Sequence, residues 1–168
     1  KMLQDLNKLV RVTTVTQSDG SFNVFIGNGQ PLVVGNQAYQ LQAVQSPEDS
    51  ERTTVAMLGV GGTSLILPES QISGGSLGGL LGFRSQTLDM AQNSLGRIAL
   101  TLAQNFNDQH RLGQDLTGAL GTSFFSMATP TVIANSLNTG AGAPAVSLNG
   151  ATIDRLTTSD YRLTYLGP

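Results

Sequence analysis

Between Leu88 and Phe106 the apolar residues recur with a helical period. Leu88 leads into Ala91, Leu95, Ile98, Leu102 and Phe106, with spacings of 4, 3, 4 and 4 from Ala91 onward, and Ala99 and Ala103 widen the stripe. Such a stripe belongs on one face of an α-helix that packs against other apolar surface. A helix is therefore predicted near 90–112, about 20 residues or about 30 Å long. Asp89 stands where an N-cap would, able to accept from the N–H groups of Ala91 or Gln92, with Gln92 in the capping-box place. Gly113 follows the last turn as a C′ residue, and His110 and Arg111 precede it, where cations suit the helix dipole. Leu88, Ala91, Leu95, Ile98, Leu102 and Phe106 are read as a face packed in a core. On that reading Leu95→Asp or Phe106→Asp unfolds the chain, because a buried charge without a partner is very costly. A shorter helix is predicted near 76–87, with Leu77, Leu80 and Leu81 as its apolar contacts and Ser76 as its N-cap.

Upstream the period is two, not 3.6. RVTTVTQ and FNVFIG flank Asp19-Gly20, a hairpin signal, because glycine tolerates the positive φ of a tight turn. Gly27-Asn28-Gly29 leads into QPLVVG, and Asn36-Gln37 into AYQLQAV. Pro31 sits near the start of its run, where a missing N–H does little harm. TTVAML and TSLILP form another pair around the glycines at 59, 61 and 62. The fold class expected is α+β: an antiparallel meander of hairpins packed with a long amphipathic helix, then the start of a second β-rich unit. One mixed unit is expected over 1–130. A Gly/Ala/Pro-rich linker and part of a β-rich domain are expected over 131–168. The opening KMLQDLNKLV places Met2, Leu6 and Leu9/Val10 on one helical face without a cap, and YRLTYLGP alternates like a strand at the end. An internal piece of a longer protein is the expectation.

Composition removes several function classes. Charged residues are only 12% of the chain, with a formal net charge of −2. Two lysines, Lys1 and Lys8, make no phosphate-tracking stripe, so nucleic acid is not an expected partner. The absence of cysteine rules out a disulfide framework and any thiolate metal site. No apolar run approaches the roughly 18 residues of a membrane span, so no membrane partner is expected. Glu48, Asp49 and Glu51 cluster in the polar stretch SPEDSER, but lack the fixed alternation and bend glycine of a calcium loop. A solvated loop is the simpler reading. No metal and no cofactor are expected.

Gly74-Gly75-Ser76-Leu77-Gly78 fits the G-x-S-x-G of a hydrolase nucleophile elbow, and Asp89 and His110 follow in the order of a triad. Geometry opposes it. If the two predicted helices run on, Ser76 and His110 are about 50 Å apart; if they fold back, about 15 Å. Catalysis needs about 3 Å. The same glycines lack the G-x-G-x-x-G spacing, and no Gly-Lys-Ser/Thr follows for a phosphate loop. No enzyme is expected, and His110 reads as a surface histidine near a helix C-terminus.

The stretch GGSLGGLLGFRSQTLDMAQNSLGRIALTLAQNFNDQHRLGQDL resembles a signature of the flagellar hook-associated protein 1 family. The family pattern is a Gly-rich entrance, LGGLL-x-FR, L-D-x-AQN-x-LG, LA-x-x-FN-x-QH and a GxDL turn. It is matched by Leu77 to Arg84, by Leu88, Asp89, Ala91 to Asn93, Leu95 and Gly96, by Leu102, Ala103, Phe106, Asn107, Gln109 and His110, and by Gly113, Asp115 and Leu116. DGSFNVFIGNGQPLVVG, and GTSFF followed by LTTSDYRLTY, resemble further parts. Met90 stands where many members carry Pro. The resemblance implies an extracellular structural protein of the bacterial flagellum, exported without a cleaved signal. It implies self-assembly between hook and filament and contact with the hook protein and a second junction protein. The terminal heptad segments of the family are missing here, so a monomer is expected of this chain. The polar Thr/Asn/Gln-rich strands leave a second reading, a secreted adhesin or glycan-binding module. Against it, the chain has no Trp and only three Tyr, at 39, 161 and 165.

Overall fold

The computed structural model describes residues 1–166. They form two compact units. The first is Lys1–Ser85 with Ile133–Ala141; the second is Gln86–Val132 with the residues from Gly142 on.

The first unit opens with α1 (Met2–Leu9) and continues as two antiparallel sheets. Sheet one has the order β1 (Val12–Thr16), β2 (Phe22–Ile26), β3 (Gln30–Val34), β4 (Gln37–Ala38). Sheet two has the order β5 (Gln40–Gln45), β6 (Thr53–Leu58), β7 (Ser64–Ile66). The predicted hairpin around Asp19-Gly20 is present, with Gly20 at φ 83° and the Asp19 carboxylate accepting from the Ser21 amide at 2.9 Å. The other predicted strand runs fall on β3 to β7. Val24 and Ile26 of β2 are buried, and so are Thr54 and Ala56 of β6, but the alternation is not strict, since Asn23 and Met57 are buried as well. The core gathers Val10, Ile26, Met57, Leu67, Ile72 and Leu81, with Leu6 and Leu77 packed against it. Each such side chain contributes about 1.5–3 kcal/mol by leaving water.

Two glycines permit close approaches that hold this unit together. A Cβ on Gly27 would run into the Gln71 carbonyl, and one on Gly75 into the Leu9–Val10 peptide. The first approach lets Asn28 strap the turn: its amide donates to Gln71 O at 2.9 Å, its Nδ2 to Ser70 O at 2.7 Å, and its Oδ1 accepts from Ser73 Oγ at 2.7 Å. The second seats the start of α2 (Gly75–Phe83) on the end of α1. The SPEDSER stretch is a turn in which Asp49 accepts from the Glu51 amide at 2.9 Å and pairs with Arg52 at 3.2 Å.

The helical backbone then departs from expectation. It does not stop and restart: α2 passes through a π turn (Arg84–Leu88) directly into α3 (Asp89–Arg111). Leu88, at φ −68° and ψ −50°, is already helical, so Asp89 lies inside the first turn of α3 and is not an N-cap. With the preceding residues helical, the backbone N–H groups that a cap would satisfy are no longer at a free end. Ser76 is not a cap either. That position belongs to Gly74, at φ 73°, which makes no side-chain bond. Gly113 does follow the helix end, its amide bonding His110 O at 3.1 Å, but it is not among the residues at positive φ.

In the second unit, α3 carries a 3-10 segment (Gly150–Arg155) whose Ile153 is buried and whose first turn is capped by Asn149. Asn93 reaches Thr158 O and Asp160 Oδ1, both at 3.0 Å, and Arg97 donates to Leu156 O at 3.3 Å. The unit boundary expected at 130/131 is not found. Ile133–Ala141 belongs with the first unit, where the Ser136 amide donates to Pro47 O at 2.8 Å. The expected β-rich unit is also absent among described residues 131–166, which hold no strand. A strand needs a neighbour for its backbone groups, and alternation in YRLTYL supplies none. Gly167 and Pro168, which close that run, lie outside the described residues.

Candidate functional site

The apolar face of α3 is the feature that demands explanation. It was expected in a core, and the structure corrects this. Leu95, Ile98 and Leu102 are 69%, 60% and 62% exposed, and Leu88 and Phe106 are also exposed. Ala91 lies at the surface with them. The residues of α3 that this chain buries are polar, Gln104 and Asn107. The error has a plain cause: period shows which side of a helix is apolar, not whether the same chain supplies its cover.

Laid along the helix, the exposed positions follow a 3-4 alternation. Leu88, Leu95 and Leu102 take the a places of three heptads, and Ala91, Ile98 and Asn105 the d places. The flanking residues Gln92, Ser94, Ala99 and Thr101 carry no charge. Over the first two heptads a helix can settle on this seam without desolvating an ion; in the third, Asp108 stands at the flanking position.

Toward its C-terminal end the seam adjoins an irregular segment. The segment Phe124–Ala128 lies against α3, and Asn107 holds it there. Asn107 is 1% exposed; its Oδ1 accepts from the amides of Phe124 and Phe125, both at 2.8 Å, and its Nδ2 donates to Phe125 O at 2.9 Å. Its side chain thus replaces the missing β-partner of an irregular segment. Around it the rings of Phe106, Phe124 and Phe125 meet at centroid distances of 5.0–5.2 Å in tilted or edge-on pairs, the favoured geometry for aromatic contact. Between helix and segment runs an apolar groove of about 350 Å³, lined chiefly by Ala99, Leu102, Ala103, Phe125, Met127 and Ala128. Beyond the helix end, Asp115 builds a tight turn. It accepts from Thr117 Oγ1 at 2.7 Å and from the amides of Thr117 and Ala119 at 2.8 and 2.9 Å. The Thr117 hydroxyl first, and then these amides, hold the Asp115 carboxyl below its ordinary value.

A long helix with an uncovered heptad face, joined to hairpins of the first unit, matches a known architecture. The model of the flagellar hook-associated protein FlgK helical domain matches residues 1–125. The chain belongs to the FlgK family. Flagellar hook-associated protein 1 of Salmonella typhimurium is 41% identical over 169 residues, and that of Escherichia coli 38% over 165 residues. These alignments cover 99% and 98% of this chain and 30% of each relative. The solved flagellar hook junction protein FlgK of Burkholderia pseudomallei superposes with a TM-score of 0.85 at 45% identity, over 98% of this chain and 30% of that one. The chain thus spans about 30% of the length of the FlgK relatives it matches.

The family motif gains physical content here. In F-N-x-Q-H, Phe106 joins the ring cluster, Asn107 is the segment clamp, and His110 Nδ1 lies 2.7 Å from Thr122 O with its ring stacked near Phe106. The residues that mimic a triad are not assembled. Asp89 and His110 stand at opposite ends of α3, about 30 Å apart by helical rise, and Ser76 belongs to the first unit. Among the described residues no group of three or more His, Cys, Asp or Glu comes together, and no helix is long and apolar enough to cross a membrane. Asn107 and Gln104 escaped the sequence reading. An asparagine on a polar-looking side of an amphipathic helix carries no periodic signal, and only the family motif marked its position.

Proposed function

We propose that this chain is part of a flagellar structural protein that joins hook to filament outside the cell. On this reading its work is mechanical, and the exposed seam of α3 is its assembly surface. The single observation that carries the reading is that apolar heptad face, left open by the chain that displays it. Apolar residues held in water at this density are costly unless something covers them. The names of the relatives supply the context: hook-associated and hook junction proteins. Its partners would be other copies of itself, the hook protein and a second junction protein, reached after export without a cleaved signal.

The test is Leu95→Asp with Ile98→Asp in the full-length protein, expressed in a flagellated host lacking its own copy. Loss of swarming, with hooks that carry no filament under the electron microscope, is the expected result. Wild-type swarming by the double variant would remove the seam from the assembly and the reading with it.

A further inference from the structure

The sequence contains two Asn-Gly pairs, Asn28-Gly29 and Asn149-Gly150. Such a pair can modify itself. The glycine nitrogen, unhindered because no Cβ stands beside it, attacks the carboxamide carbon of the asparagine and expels ammonia. The cyclic imide that results takes up water. It opens at either carbonyl, to aspartate or to isoaspartate, whose main chain is longer by one carbon. Both asparagines are exposed, so access to water does not separate them. Their hydrogen bonds do.

At Asn28 the groups that must move are held. Nδ2 donates to Ser70 O at 2.7 Å and Oδ1 accepts from Ser73 Oγ at 2.7 Å, so the carboxamide is fixed at both ends. The attacking nitrogen, that of Gly29, donates to Ile26 O at 3.1 Å. The turn itself is pinned where Gly27 presses on the Gln71 carbonyl. At Asn149 the arrangement is different. Gly150 is the first residue of the 3-10 segment, and the leading N–H groups of a helix have no carbonyl partner inside it. Residues 141–149 are irregular, so turning the backbone toward the carboxamide breaks no ladder. The Asn149 Oδ1 accepts from the Ala151 amide at 3.1 Å. That bond polarises the carbon under attack and stabilises the oxyanion that develops on Oδ1.

We infer that Asn149 is a self-modification site, converted through the imide to aspartate and isoaspartate, and that its hydrogen bonds protect Asn28 from the same reaction. Ammonia leaves and water is the one co-reactant. The two products differ in effect. The aspartate product keeps an acceptor for the Ala151 amide, and aspartate caps about as well as asparagine. The isoaspartate product inserts a backbone carbon ahead of the 3-10 segment and displaces that acceptor. Gly150, which lies against the Gln104 side chain, and the buried Ile153 must shift with it. Isoaspartate at this position therefore loosens residues 150–155 on α3.

The test holds the full-length protein at mildly alkaline pH, where the attacking amide gives up its proton more readily. Peptide mass spectrometry follows positions 28 and 149 with time, folded and in urea, with fragmentation that separates aspartate from isoaspartate. In urea both sites are bare Asn-Gly pairs and convert at similar rates. In the folded protein, conversion at 149 is expected to outrun that at 28 by about tenfold or more, since several hydrogen bonds must first break at 28. Equal rates at the two sites in the folded protein overturn the inference. So does conversion of 149 in urea but not in the folded protein. Ser73→Ala removes one of the bonds on Asn28. It is expected to raise the rate at 28 about threefold and leave 149 as it was; an unchanged rate at 28 overturns the protective role of these bonds. In the isoaspartate fraction, amide exchange at Ala151 and Ile153 is expected to accelerate. Exchange equal to that of the unmodified protein overturns the loosening.

Discussion

The two units use apolar residues in opposite ways. In the first, Val10, Ile26, Met57, Leu67, Ile72 and Leu81 come from six separate places in the chain and close on one another. In the second, Leu88, Leu95, Ile98 and Leu102 sit in a row on one helix and stay in water. Both sets look alike in a hydropathy pattern. The difference lies in supply. Hairpins return the chain to itself every few residues, so each buried face finds a cover within the same unit. Along the 23 residues of α3 the apolar positions fall on one side, and the described residues bury the polar Gln104 and Asn107 instead. Apolar surface closed within these residues stabilises them, and the apolar surface of α3 is left open by them.

The sharpest way to break this contrast is to truncate one residue of each kind. Ile26→Ala or Leu67→Ala, at 2% and 1% exposure, is expected to cost about 2–5 kcal/mol. Urea unfolding of the chain reads it as a lower midpoint with an unchanged slope. Asn107→Ala comes next. It leaves three backbone groups of Phe124 and Phe125 without their partner, at about 1–3 kcal/mol. Amide exchange should accelerate at 124 and 125 and stay unchanged in β2 and β6. Smaller again is Leu95→Asp in this chain alone. Because Leu95 is 69% exposed, its midpoint should stay within about 0.5 kcal/mol of wild type, against the unfolding that the periodic pattern by itself predicts. A large loss there would mean that the stripe is covered within these residues after all.

The smallest effect concerns acid. The Asp115 carboxyl is held below its ordinary value by Thr117 and Ala119. A carboxyl depressed in the folded state contributes its stability above its unfolded value, near 3.9, and loses it as pH falls through the lower folded value. Protection of the Thr117 and Ala119 amides should therefore decline only at pH below about 4. In Asp115→Asn that acid-dependent decline should vanish. Equal pH profiles for the two proteins would remove the carboxylate from the turn.

Much of the first unit is legible in the sequence because its signals are local. Asp19-Gly20 and Gly27-Asn28-Gly29 mark turns by the positive φ they need, and alternation marks what lies between them. Helix ends were harder. Asp89 and Ser76 have cap chemistry, yet Gly74 opens α2 and the helix runs through Leu88, since a cap matters only where the preceding residue leaves the helix. The C-terminal third misled for a related reason: residues 150–155 alternate weakly but form a 3-10 segment, and no neighbouring strand is present to pair with YRLTYL.

The sequence by itself determined that a long helix runs from near Asp89 to Arg111, which of its faces is apolar, and that hairpins precede it. It also determined the family, through a motif too long to recur freely. Tertiary structure alone decided that the apolar face is open, that Asn107 is buried while Leu95 is not, and that the Phe124–Ala128 segment turns part of the seam into a groove. Period is a property of neighbours along one helix and is written in the chain. Cover is a property of what else folds nearby, and that is settled only when distant segments meet.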